Sequence, residues 1–244
     1  MPRISTLSKI VGTQKWGAHI HLSGSTQAER DAVQAAVMEK HPGITFVPPY
    51  DHPAIILGQG TMALELEQQV DQQYRRKLNA VIAALGGGGM LAGVATALHG
   101  TGTKVFGAEP NFEGANDGEI GLAQGKRVET VSTLTIADGL RTPVGVWNWT
   151  VISDKDKVAG VFSVTEEQIL AAMRLVLERM KVVVEPSGCV PLAVVLFNEK
   201  FRSLVERESG RLGWDIGIIF SGGNTTVGAI GELFAAANAR KARL

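Results

Sequence analysis

Ala80-Val81-Ile82-Ala83-Ala84-Leu85-Gly86-Gly87-Gly88-Gly89-Met90-Leu91-Ala92-Gly93-Val94-Ala95-Thr96-Ala97-Leu98 is the stretch on which the fold turns. Its apolar start reads as a buried strand, and its end reads as a helix. Between them lie four glycines, a loop without side chains. Backbone N–H groups can converge on one point there, because no Cβ blocks the approach. The helix that follows adds the positive end of its dipole. A phosphate or another oxyanion is the ligand such a loop fits. A tight strand-to-helix turn alone would need only one or two glycines.

Around this stretch, strand-like and helix-like segments alternate. Residues 5–16 read as a helix and 18–22 as a strand. Residues 26–40 read as an amphipathic helix, with Ala28, Val33, Ala36 and Val37 at helical spacing and Ser25 as cap. Residues 44–47 read as a short strand ended by Pro48-Pro49. A helix is expected over 61–73, the glycine loop comes next, and a strand is expected over 104–108. Residues 109–160 are rich in loops, and a long stretch of that kind inside a compact domain is expected to be functional. Helices over 166–181 and 189–202, a strand over 215–220 and a helix over 225–237 follow, and residues 240–244 read as a solvated tail. The alternation predicts an α/β fold with an open, mainly parallel sheet and helices on both faces.

Composition narrows the function. The chain has 244 residues, 45% hydrophobic and 20% charged, enough to build a real core in one large domain or two small ones. Formal net charge is zero and no basic stripe occurs, which argues against nucleic acid and anionic membrane as partners. No apolar run approaches a membrane span, and the start carries no apolar signal core. Cys189 is the single cysteine, so no internal disulfide forms and a reducing, cytoplasmic compartment is expected. With no histidine near it in sequence, Cys189 reads as a buried small hydrophobe rather than a nucleophile.

A second strand runs into a glycine turn at Ile216-Gly217-Ile218-Ile219-Phe220-Ser221-Gly222-Gly223-Asn224. Ligands of open α/β sheets collect at the carboxyl ends of strands, so two such turns predict one site with two walls. Ser221 could offer its hydroxyl to a heteroatom there, or cap the next helix.

Gly58-Gln59-Gly60-Thr61, Gly86-Gly87-Gly88-Gly89-Met90-Leu91-Ala92-Gly93, Glu109-Pro110, Ile136-Ala137-Asp138-Gly139, Glu185-Pro186-Ser187-Gly188 and Ser221-Gly222-Gly223-Asn224 occur in this order. With them the chain resembles the serine racemase and serine/threonine dehydratase family, fold type II enzymes of pyridoxal phosphate. The resemblance implies a remnant of a small α/β subdomain over residues 1–49 and a large domain over 50–244. It implies that Gly86, Gly87, Gly88, Gly89 and the N–H of Met90 hold the cofactor phosphate. Ser221 would meet the pyridine nitrogen, where a neutral hydroxyl tunes the ring as an electron sink. Asn224 would support that loop, Gly139 would line the cofactor face, and Glu185 would place a carboxylate near the ring. Glu109, Ala115 and Asp117 match the family's ligands for Mg2+ or Ca2+, through carboxylates and a carbonyl oxygen. This loop carries two extra residues, so Glu113 competes with Glu109, and loss of the metal site is the alternative.

The family's Ser-Phe-Lys-x-Arg-Gly-Ala-type motif, whose lysine binds the cofactor covalently, does not occur in this sequence. Neither does its Ser-x-Gly-Asn-His-type loop, which grips the substrate carboxylate. The resemblance therefore implies a shortened homologue whose cofactor is held non-covalently or lost. An uncovered sheet surface would be expected to pair with a second copy in a homodimer, or with a partner chain. Three functions compete. The first is a dehydratase or racemase with little activity alone. The second is PLP-independent isomerase, lyase or cyclase chemistry in the old cleft, with Glu185, Asp138, Asp51, His52 and Tyr50 as acid/base candidates. The third is a non-catalytic binding subunit.

Overall fold

A computed structural model describes residues 1–241; Ala242, Arg243 and Leu244, and with them most of the expected tail, lie outside the described residues. The chain forms two compact units. One holds Met1–Val47 together with the chain from Asn224 onward, and the other holds Pro48–Gly223.

The first unit contains α1 (Leu7–Lys15), α2 (Gln27–Lys40) and a last helix, Val227–Lys241. Thr26, rather than Ser25, caps α2: its hydroxyl accepts the Glu29 N–H while Glu29 accepts the Thr26 N–H, a reciprocal capping box. The strands expected over 18–22 and 44–47 do not form. A strand exists only by bonding a neighbour, and the one pairing here is an isolated bridge between Pro2 and Ser23. Ser23 donates to Met1, Arg3 donates to Ser23, and the Met1 amino group donates to the His21 carbonyl at 2.6 Å, too few bonds for a named strand.

The second unit is built on four parallel strands. They are β1 (Ala80–Ala84), β2 (Lys104–Pro110), β3 (Gly160–Val164) and β4 (Ile216–Ile218), in the order β3-β2-β1-β4. Val81 lies opposite Val105 on one side and Gly217 on the other, and Gly107 lies opposite Val161. On one face Val81, Ala83, Leu85, Val105 and Val161 pack with α3 (Pro53–Tyr74) and α4 (Gly89–Leu98), through Ile56, Ala63, Leu91, Val94 and Leu98. On the other face Phe106 and Phe162 each meet Phe201 edge-on at 5.4 Å. With helices on both faces, the sheet is the α/β arrangement expected from the alternation.

Helix α3 begins at Pro53, eight residues before the expected start at Thr61. Gly58 and Gly60 do not break it. A Cβ on Gly60 would stand 2.9 Å from the Gly93 carbonyl oxygen of α4, and one on Gly93 would stand 2.5 Å from that of Ile56. The glycines let two backbones touch where α3 crosses α4. The region 109–160 holds α5 (Asp117–Gln124), α6 (Val146–Ile152) and a 3-10 turn, Asp138–Leu140, as well as its loops. Strand β3 is an addition to the sequence reading. The helix expected over 166–181 is α7 (Glu166–Leu175) continued by a π turn, Val176–Met180. The helix expected over 189–202 is two, α8 (Pro186–Phe197) and α9 (Glu199–Ser209), divided where Asn198 accepts the Phe201 N–H at 2.9 Å. Val227–Lys241 is then α10. Among the described residues no helix is long and apolar enough to cross a membrane.

Candidate cofactor site

Because β1 and β4 are adjacent and parallel, the glycine loop and Ser221 leave the sheet at the same, carboxyl end. Gly86, Gly87, Gly88 and Gly89 are all buried. Gly88 has φ 95°, a left-handed backbone that side chains rarely adopt, and it opens α4. Leu85 still donates to Ala108 of the neighbouring strand. Among the described residues, the next five N–H groups, of Gly86, Gly87, Gly88, Gly89 and Met90, meet no protein acceptor. Buried donors without acceptors are costly, so a run of them at a helix start is the backbone form of an anion cup.

Tyr50, Asp51 and Asn148 wall this loop. A Cβ on Gly87 would overlap the Tyr50 ring, and one on Gly89 would stand 2.7 Å from the Tyr50 carbonyl oxygen. The Gly87 carbonyl accepts from Gly145 N–H at 2.9 Å and from Asn148 Nδ2 at 2.7 Å. Asp51 accepts the N–H groups of Val146, Trp147 and Asn148 at 2.8, 2.9 and 3.2 Å and so caps α6. His52 caps α3, its Nδ1 accepting the Ala54 N–H. Asp51 and His52, acid/base candidates in the sequence, are thus engaged in helix caps. Sequence reasoning missed Asn148, which belongs to no family motif and acts across 61 residues.

The second wall joins Gly139, Glu185, Ser187 and Ser221. Gly139 donates its N–H to Ser187 Oγ at 3.0 Å, and a Cβ on Gly86 would stand 3.2 Å from the Gly139 carbonyl oxygen. Glu185 is buried, donates its N–H to Gly222 at 2.8 Å, and keeps its carboxylate against the Gly222 α-carbon. Gly188 lies so close to Ser221 that a Cβ there would overlap the Ser221 carbonyl oxygen. Gly86 to Met90, Gly139, Glu185 and Ser221 therefore all fall in one unit, around the carboxyl ends of β1 and β4. Asn224 falls in the other unit, exposed in the segment before α10.

Glu109 and Asp117 are both buried. Glu109 accepts the N–H groups of Gly118 and Glu119, each at 2.9 Å, and Asp117 accepts that of Val144 at 2.9 Å. Burial, reinforced by the Asp117 charge, pushes the Glu109 carboxyl well above the usual range. Burial raises Asp117 to about 6. Ala115 is buried beside them, while Glu113 is exposed and accepts the Leu134 N–H. Among the described residues no group of three or more His, Cys, Asp or Glu is placed to hold a metal.

Cys189 sits fully buried in α8, and burial, with the Glu185 charge behind it, pushes its thiol up to about 12. At pH 8 that leaves roughly one thiolate in ten thousand. The folded protein should therefore resist an aromatic disulfide reagent and react only as denaturant opens it. Rapid labelling without denaturant would contradict this burial.

The model of the family described as pyridoxal-phosphate dependent enzyme matches residues 1–222. An L-threo-3-hydroxyaspartate ammonia-lyase of Saccharomyces cerevisiae is 36% identical over 227 residues, covering 92% of this chain and 64% of that protein. A serine racemase of Schizosaccharomyces pombe is 34% identical over 230 residues, covering 93% of this chain and 65% of that protein. Among solved structures, maize serine racemase superposes with a TM-score of 0.84 at 34% identity, over 98% of this chain and 69% of that chain. The chain thus spans about two thirds of the length of the curated relatives it matches. A family model matched over nearly the whole chain, on a fold shared with serine racemase, shows that the chain belongs to the fold type II pyridoxal-phosphate-dependent enzymes of the serine racemase and ammonia-lyase kind.

Proposed function

We propose that residues 1–244 form the phosphate-binding and ring-nitrogen side of a pyridoxal phosphate site, in an enzyme acting on a small hydroxy amino acid such as serine or 3-hydroxyaspartate. One observation carries the reading: the N–H groups of four buried glycines and of half-buried Met90 are without protein acceptors at the carboxyl end of the central strand, at the same end as Ser221. The residues fit the group. Gly86 to Met90 would hold the phosphate by backbone donors alone, at the positive end of α4. Ser221 would hold the ring nitrogen through a neutral hydroxyl, and the Gly188 contact fixes the backbone that carries it. Gly139, tied to Ser187, keeps one face of the ring position free of side chain. When bound, pyridoxal phosphate supplies the sink for electrons released as a proton leaves the substrate Cα.

That proton needs a base, which the family draws from its cofactor-binding lysine. Lys104, Lys157 and Lys200 pair with Glu208, Asp154 and Glu119, and Lys181 is exposed. None stands in the family's lysine motif. The lysine and the carboxylate-gripping loop are accordingly assigned to polypeptide outside residues 1–244, on the same chain or a partner. The fit to a divalent cation is poorer. Glu109 gives one oxygen each to Gly118 and Glu119, and no third carboxylate joins Glu109 and Asp117 among the described residues.

The test is a titration of the protein with pyridoxal phosphate, followed by tryptophan fluorescence, with inorganic phosphate as competitor. Saturable binding that millimolar phosphate displaces is the expected result. Binding indifferent to phosphate, or no binding, would overturn the reading.

A further inference from the structure

Asn148 is fully buried on the first turns of α6, a helix whose N–H groups are held by Asp51. Its Nδ2 donates to two carbonyl oxygens, Tyr50 at 3.1 Å and Gly87 at 2.7 Å. Its Oδ1 is buried without a partner. Turning the amide over would set that oxygen against both carbonyls, so the two donor bonds fix its orientation. A buried acceptor left unpaired is a cost a merely structural asparagine has no reason to carry.

The Gly87 carbonyl is held twice from the α6 side, by Asn148 Nδ2 and by the Gly145 N–H. Among the described residues no peptide is cis, and in a trans peptide the C=O and the next N–H point in opposite directions. Holding the Gly87 oxygen toward α6 therefore points the Gly88 N–H away from α6. Between two glycines no Cβ resists rotation of this peptide. In the rotated state a carbonyl oxygen would replace a donor in the loop, and an acceptor there repels an anion.

We propose that Asn148 is a positioning residue that locks the Gly87–Gly88 peptide in its donor-presenting orientation, so that oxyanion affinity at the glycine loop depends on an amide that does not touch the anion. This rests on reading the loop as the phosphate cup. The experiment titrates inorganic phosphate into wild type, Asn148→Ala and Asn148→Thr, with calorimetry and the Gly88 amide resonance as readouts. In the wild type phosphate binds and shifts the Gly88 amide. In Asn148→Ala affinity falls about tenfold, the value of one well-made hydrogen bond, and the Gly88 shift is lost. Asn148→Thr, which keeps one donor, lies between and decides the matter if the alanine variant does not fold. Val105→Ala, a core variant destabilised in its own right, keeps wild-type affinity. Folded Asn148 variants with unchanged affinity and Gly88 shift overturn the inference and leave the cup standing. A wild type in which phosphate neither binds nor moves Gly88 removes the cup itself, and the inference with it.

Discussion

Supplied with L-serine, pyridoxal phosphate, Mg2+ and ATP, residues 1–244 are expected to form pyruvate and D-serine at least about a hundredfold more slowly than a full-length serine racemase assayed beside them. A positioned general base contributes roughly a hundredfold to ten-thousandfold to proton abstraction. If, as proposed, the covalent anchor and the grip on the substrate carboxylate lie outside residues 1–244, orientation is lost as well, which deepens the deficit. Pyridoxal phosphate binding and turnover are expected to separate, because the proposed phosphate donors of Gly86 to Met90 and the proposed ring-nitrogen partner Ser221 need no lysine. Replacing each lysine in turn interprets any activity that appears. Activity that persists through all the replacements means the base is another residue, and activity lost with one replacement identifies a substitute.

The second large effect is on stability. Gly188→Ala is expected to lower unfolding free energy by about 2 kcal/mol or more, within the range of overpacked cores. In a helix interior alanine is ordinarily favoured over glycine by about 1 kcal/mol. Here its Cβ overlaps the Ser221 carbonyl oxygen and stands 2.7 Å from Val184 Cγ1, so either α8 or the loop after β4 must move. The contrast is Gly58→Ala on α3, where nothing lies within 4 Å of the new Cβ and the exchange should stabilise. Urea unfolding of both variants, read as midpoints at constant slope, gives opposite signs. A Gly188→Ala midpoint at or above wild type would mean the contact is looser than described. The displaced Ser221 should also weaken pyridoxal phosphate binding more than phosphate binding.

The sequence was most legible where local pattern and tertiary role coincide. Ala80 to Leu85 is apolar throughout because β1 lies between two strands with helices above and below, and the glycines follow where the loop must come close. Legibility failed where a residue's reason lies far along the chain. The sequence predicts a helix start only at Thr61, because the reason for Gly60 lies on α4, at Gly93. His19-Ile20-His21-Leu22 alternates like a strand, yet its only neighbouring chain among the described residues is the Met1–Arg3 end, met by His21 and by the Pro2–Ser23 bridge beyond it. Strand β3 has five residues, and its place is set by pairing with β2 rather than by its own composition. At the site, the short motifs marked the glycine loop, Gly139, Glu185 and Ser221. The Asp51 and Asn148 braces were invisible, because hydrogen bonds across 61 to 98 residues leave no local signature.

The strand order carries a consequence for how the site comes into being. Strand β1 reaches β2 through one short crossover, as in the Thr103 to Leu78 contact across 25 residues, but reaches β4 only across 136, as between Asp215 and Asn79. Entropy charges more for the longer closure, and a chain made from its N-terminus presents β4 late. The glycine loop can therefore take shape once α6, whose Gly145 and Asn148 hold the Gly87 carbonyl, has joined the β1–α4–β2 unit, while the Ser221 wall waits for nearly the whole chain. This topology lets the glycine loop form before the Ser221 wall during folding. If the glycine loop is the phosphate cup proposed above, phosphate present during refolding is expected to bind before the Ser221 wall is in place.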